Sequence, residues 1–268
     1  MFGKRHHLPS EEFIGWAFQS YRWLLECFGG FSAFRETLIV LPTHEHFPIN
    51  RGDGHEFAVQ VFDLVRAHAR MQEWPCRLQT HEDPLDVSEI LAGMPHHGAP
   101  VEGAAAGTFS VDPERREYVI TYSVKQLLSA QSLIATFAHE LAHALLSTAP
   151  TEQPGGEEAF EPVTDLGAVF LGFGVFLANS SFQFEQFQQG AMIGWGASGM
   201  GYLDEAQLAY ALAICVSLLG ADPEPIAVHL KTNPKVYMGT ALEHIAIHHE
   251  EDLEALRRVP AGTESEQD

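Results

Sequence analysis

Residues 136–146 read "TFAHELAHALL", and the rest of the chain takes its meaning from them. His139, Glu140 and His143 form an H-E-x-x-H pattern inside a segment with strong helical character, expected to run from about Ser129 to Leu146. On a helix, positions i and i+4 lie roughly 40° apart on one face. Two imidazoles so placed can share one metal ion, and Glu140 projects beside them without being a ligand. Leu133, Ile134, Phe137, Leu141 and Leu145 mark a separate apolar stripe, so the helix does not need its histidines for packing. The plainer alternative is a pair of surface histidines flanking a glutamate.

A catalytic zinc site needs a third protein ligand and one open position. "GGEEAFEPVTDLGAVF", residues 155–170, offers Glu161 and Asp165 four residues apart. One carboxylate at the start of a second helix can complete the coordination. Another, one turn on, can accept the free N–H of a ligand histidine and fix its tautomer. Pro162 places Glu161 at the N-cap, with the proline at the first helical position.

H-E-x-x-H followed by E-x-x-x-D resembles the gluzincin zinc metallopeptidases, the thermolysin-like and minimal gluzincin proteins. The resemblance covers residues 116–165, and nothing before or after them matches a named peptidase family. It implies that His139, His143 and Glu161 hold one Zn2+ per chain. Glu140 would then be the general base toward a metal-activated water, and Asp165 would orient a histidine from the second shell. If Glu161 caps its helix instead, Asp165 is the alternative ligand, with Glu157 and Glu158 behind it. The resemblance also implies a peptide or protein substrate that pairs with an edge strand just before the metal helix. "REYVITYS", residues 116–123, occupies that place in the order. No G-x-x-H follows His143, so a metzincin continuation is absent. Manganese or nickel also suits such donors. The rival reading is a catalytically silent zincin-fold protein acting as a binding or regulatory module.

Around this centre the pattern predicts an α+β, zincin-like fold. It has a small mixed sheet with an edge strand beside the H-E-x-x-H helix, and a largely helical C-terminal half. Ser10 caps a helix over 11–28, "TLIVLP" at 37–42 reads as a strand, and 55–71 returns to helical period. "CRLQT" at 76–80 is a strand, residues 81–106 form a long surface loop, and "GTFSV" and "EYVITYS" make a hairpin about "DPERR". In the apolar helix 162–179, Gly167, Gly172 and Gly174 suggest close approach to the metal helix. Residues 180–203 have no clear assignment. Asp204 caps the next helix, and two shorter ones follow, the second from Asn233-Pro234. Residues 1–247 read as a single domain with a minimal metal-site unit at about 107–180. Residues 248–268 read as an acidic, disordered tail.

Fifteen basic against thirty-six acidic residues leave a net charge of −21, which opposes nucleic acid and anionic membrane surfaces as partners. Cys27, Cys76 and Cys215 are scattered, as expected of buried, reduced thiols in a cytoplasmic protein. The N-terminal segment shows no apolar signal core. The apolar runs 166–178 and 208–219 are shorter than the roughly 18 residues a membrane helix needs. "THEHF" (43–47) and "PHHG" (95–98) read as exposed loop histidines, and His68 as a satisfied core histidine. Tyr122, Tyr202, Tyr237, His229 and His244 are candidate oxyanion donors that the sequence does not separate. No phosphate loop and no G-x-S-x-G elbow is present.

Overall fold

In a computed structural model the described residues are 8–49, 54–81, 107–180 and 203–261. Ser10 caps α1 (Glu11–Cys27) by accepting the Phe13 N–H, and Glu11 and Glu12 add favourable charge in the first turn. A short α2 (Gly30–Phe34) and α3 (Gly54–His68) follow. Strands β1 (Cys76–His81), β2 (Gly107–Asp112) and β3 (Glu117–Ser123) make one sheet in the order β1-β3-β2. β2 and β3 pair antiparallel, with Phe109 opposite Ile120, while β1 runs parallel to β3, with Leu78 opposite Ile120.

β3 is therefore the central strand. The expectation that 116–123 forms the edge beside the metal helix is corrected, because that place belongs to β2. The sequence carries the reason. "YVITY" is apolar or β-branched on both faces, as a doubly covered strand should be, and Val119, Ile120 and Tyr122 are buried. "GTFSVD" mixes exposed polar positions with half-buried ones, as an outer strand does.

Past the sheet, a 3-10 turn (Val124–Leu128) leads into α4 (Ala130–Leu146), capped by Ser129. Every residue of α4 from Leu133 to Leu146 is buried. α4 is the central helix, packed against α3, the sheet and α5 (Phe160–Ala168). α5 passes through one π-type turn (Val169–Phe173) into a further helical stretch, 174–180. α6 (Glu205–Leu219) starts with an Asp204–Gln207 capping box and ends at Gly220 in the left-handed conformation. α7 (Pro223–Ala227), α8 (Thr232–His248) and α9 (Glu250–Arg257) close the fold, with α8 packed along α6. α8 is as long as α1, not one of two short helices.

Other expectations also change. "TLIVLP" is no strand, because the Val40 N–H donates to the Gly172 carbonyl (2.9 Å) and the segment lies against a helix turn. The acidic segment after 248 is not disordered over Glu250–Arg257. It is an amphipathic helix whose acids face outward while Leu253 and Leu256 are buried. The helical run Glu157–Ser180 is long and apolar enough to cross a membrane, but 83% of its most apolar window is buried in the protein, as in a core helix. Cys215 is buried, whereas Cys27 and Cys76 are only half-buried, and all three are free thiols.

Of the three helix glycines, only Gly167 faces α4, where a Cβ would touch that of Ala142 at 3.4 Å. Gly174 meets Leu212 of α6 instead. Gly172 has φ 101°, and a Cβ there would lie 2.1 Å from the Leu38 carbonyl oxygen. Both the dihedral and the contact require glycine. Gly172→Ala is expected to lower unfolding free energy by at least about 2 kcal/mol in urea titrations.

Candidate metal centre

α4 delivers His139 and His143 to the face that meets α5. Neither is a surface histidine: they are 2% and 8% exposed. α5 does not begin at Pro162. The 3-10 turn Glu157–Ala159 starts the helix one turn earlier, and Glu161 stands in the first helical turn with its carboxylate turned to the histidines. His139 Nε2 lies 3.2 Å from Glu161 Oε2, and His143 Nε2 lies 3.5 Å from the same oxygen. One donor atom from each of the three residues falls within 4.8 Å of the others, close enough to hold a common ion.

Asp165, one turn beyond Glu161, faces the far side of His139. Its Oδ1 accepts the Nδ1–H at 2.9 Å and its Oδ2 accepts the Leu203 N–H at 2.8 Å. Asp165 thereby takes the orienting place, and Glu161 the position facing both histidines. His143 has a partner that sequence reasoning missed. The Thr164 hydroxyl spends its hydrogen on the Phe160 carbonyl (2.9 Å), so it accepts from His143 Nδ1–H (3.3 Å) and turns Nε2 toward Glu161. The signal was available, since Thr164 sits three residues after Glu161 and shares its helix face. Phe109 of β2 stacks on His143 at 6.1 Å and Phe160 flanks it at 5.1 Å.

The electrostatics call for a cation. Burial alone would push His139 down, but hydrogen bonds to Asp165 and Glu161, and their charge, raise it to about 10. Burial would raise Glu161, yet hydrogen bonds from His139 and His143 hold it at about 2. With both ring nitrogens donating, His139 is an imidazolium here. The positive charge that the carboxylates demand is carried by a proton that an ion at Nε2 can replace. The His₂-carboxylate donor set, two rings oriented through Nδ1 and this negative field all fit a divalent metal.

Glu140 is different in kind. Burial raises its pKa, outweighing the opposing charges of His139 and His143, and its Oε2 has no hydrogen-bond partner among the described residues. β2 begins directly against it. A Cβ on Gly107 would lie 2.8 Å from Glu140 Oε1 and 2.6 Å from Thr136 Cγ2. Thr136 is held in turn by donating to Gln126 Oε1 at 2.8 Å. Gly107, Gln126 and Thr136 were not singled out from the sequence.

The remaining candidates lie outside the triad. The Tyr122 hydroxyl pairs with His55 Nδ1 at 3.1 Å, and His244 Nδ1 with the Tyr210 hydroxyl at 3.0 Å. The His229 carbonyl accepts from Asn179 Nδ2. His68 Nε2 donates to the His46 carbonyl at 2.8 Å, so the histidine is satisfied, but it is half-buried and not part of the core. His44 is exposed as expected, but His46 is half-buried and bonded to the Leu41 N–H. Tyr202, residues 95–98 and most of the loop 81–106 fall outside the described residues.

Together these features define an α+β protein with a buried His-His-Glu cluster able to hold a metal ion. Compared with known proteins, the chain matches no family model, no curated protein and no solved structure.

The purified protein is expected to take up one divalent ion at this cluster, releasing about one proton per ion at roughly pH 8 in calorimetric titrations across buffers of different ionisation enthalpy. His143→Ala should abolish uptake there. Thr164→Val should weaken it about tenfold or more, because it frees the His143 ring to turn.

Proposed function

We propose that the protein is a metal-dependent hydrolase of peptide bonds, with zinc as the ion and Glu140 as the general base. The observation that carries this is the Glu140 carboxylate, buried beside the His139–His143–Glu161 cluster with an oxygen left unpartnered among the described residues. Unsatisfied buried polar atoms are rare and destabilising, and a purely structural site gains nothing from one. A divalent ion held by His139, His143 and Glu161 would supply Lewis-acid polarisation of the scissile carbonyl and lower the pKa of water.

The chain's own groups do the rest. Glu140 takes a proton on its carboxylate from the attacking water and passes it to the leaving amine, while the C–N bond breaks. Its raised pKa makes the protonated form a competent acid for that second transfer. Asp165 and Thr164 hold the two imidazoles in the tautomers that face Glu161. Phe109 and Phe160 flank His143 with apolar surface and limit solvent there. β2, an outer strand among the described residues, starts at Gly107 against Glu140, where an extended peptide paired with its outer edge would lie beside the base.

Glu140→Gln is expected to reduce cleavage of a casein or mixed-peptide substrate by about a hundred- to ten-thousandfold while metal content stays at the wild-type level. A protein with its full complement of metal that cleaves no peptide at all would overturn the hydrolase reading and favour a binding module. Gly107→Ala should displace the Glu140 carboxylate and lower kcat with metal affinity little changed, measured on the same substrate.

A further inference from the structure

An open cavity of about 680 Å³ lies where the sheet meets the end of α4. Trp74, Pro75, Val111, Pro113 and Tyr118 form its walls, and Ser147 and Thr148 line it just past the last turn of α4. Neither hydroxyl has a hydrogen to offer a ligand. Ser147 Oγ donates to the Ala144 carbonyl and Thr148 Oγ1 to the Leu145 carbonyl, both at 2.7 Å. At the rim, the Glu117 carboxylate is taken by Arg77 Nε at 3.3 Å, and Glu73 and Arg116 are exposed charges of opposite sign. The walls are fixed: Arg66 donates to the Trp74 carbonyl (2.8 Å) and the Tyr118 N–H to the Pro75 carbonyl (2.7 Å). A preformed, apolar hollow of this size suits apolar side chains.

Its place relative to the metal centre gives it a role. A row of rings runs from the cavity wall to the cluster: Trp74 to Tyr118 at 5.6 Å, Tyr118 to Phe109 at 5.6 Å, and Phe109 to His143 at 6.1 Å. β2 follows α4 from the base outward. Gly107 meets Glu140, Phe109 meets His143, and Val111, two residues on along the same strand face, lines the cavity with Ser147 and Thr148. Ser147 is one helical turn past His143, roughly 6 Å along the axis, which is about two residues of extended chain.

We propose that this cavity is a specificity subsite. It receives a large apolar or aromatic side chain of an extended peptide, about two residues from the bond cleaved. The peptide as occupant rests on the hydrolase reading; the apolar character of the cavity does not.

The test is digestion of a proteome-derived peptide mixture by the zinc-loaded chain, with the cut sites aligned by mass spectrometry. One position, about two residues from the cut, should be enriched about tenfold in aromatic and large aliphatic residues over glycine and aspartate. Val111 is 53% exposed on an outer strand, so Val111→Lys is expected to stay folded. It should turn the preference at that position toward acidic residues. Cleavage with no such enriched position, or enrichment unchanged in Val111→Lys, overturns the inference. A second measurement separates the two readings. N-acetylphenylalanine amide, followed by NMR titration, should bind with a Kd of roughly 1 mM, at least about fivefold more weakly in Val111→Lys, while N-acetylglycine amide should not bind. Binding of this kind without any peptide cleavage overturns the hydrolase reading and supports the apolar cavity. Neither binding nor cleavage overturns both.

Discussion

The Asp165 carboxylate is the constraint on which the centre rests. One oxygen fixes the His139 ring and the other fixes the backbone at Leu203, just ahead of α6. A single buried side chain of α5 therefore sets the position of a ligand on α4 and of the chain that enters α6. The acid is 3% exposed, where an unpaired charge is expensive, so the whole arrangement has to form together. His139 answers that cost with its own proton, and the proton stands where a metal can later stand.

Much of this site was legible in the sequence because helical spacing is rigid. His139 and His143 at i and i+4, and Glu161 and Asp165 at the same spacing, each define one face of a helix. Two apolar helices close in sequence bring those faces together. The position of Glu161 was harder to read. Pro162 suggested a cap, but the 3-10 turn at Glu157–Ala159 begins the helix earlier and turns the carboxylate inward. Thr164 and Gly107 were not singled out, because their roles depend on distances between elements and not on spacing within one.

The fold was less legible where tertiary contacts override local pattern. "TLIVLP" has strand-forming residues, yet its backbone finds the π-type turn at Gly172 and no neighbouring strand. The last helix was hidden by its charge. Three acids in its first turn look like a solvated tail, but they suit a helix N-terminus, and the buried Leu253 and Leu256 anchor it. β3 was read as an edge strand by its order in the chain. Its side chains, apolar on both faces, were the better guide to a covered, central place.

The link between the two helices that carry His139, His143 and Glu161 is held from outside. Trp16 and Trp23 of α1 donate their indole N–H groups to the Pro154 carbonyl (3.0 Å) and the Thr151 hydroxyl (2.9 Å). α1 thus acts as a brace across the connection whose span sets how far Glu161 stands from the imidazoles. Loosening of α1 would relax that connection and widen the ligand cage without touching a ligand. The two indole hydrogen bonds thus tie the connection between the His139–His143 helix and the Glu161 helix to the N-terminal helix.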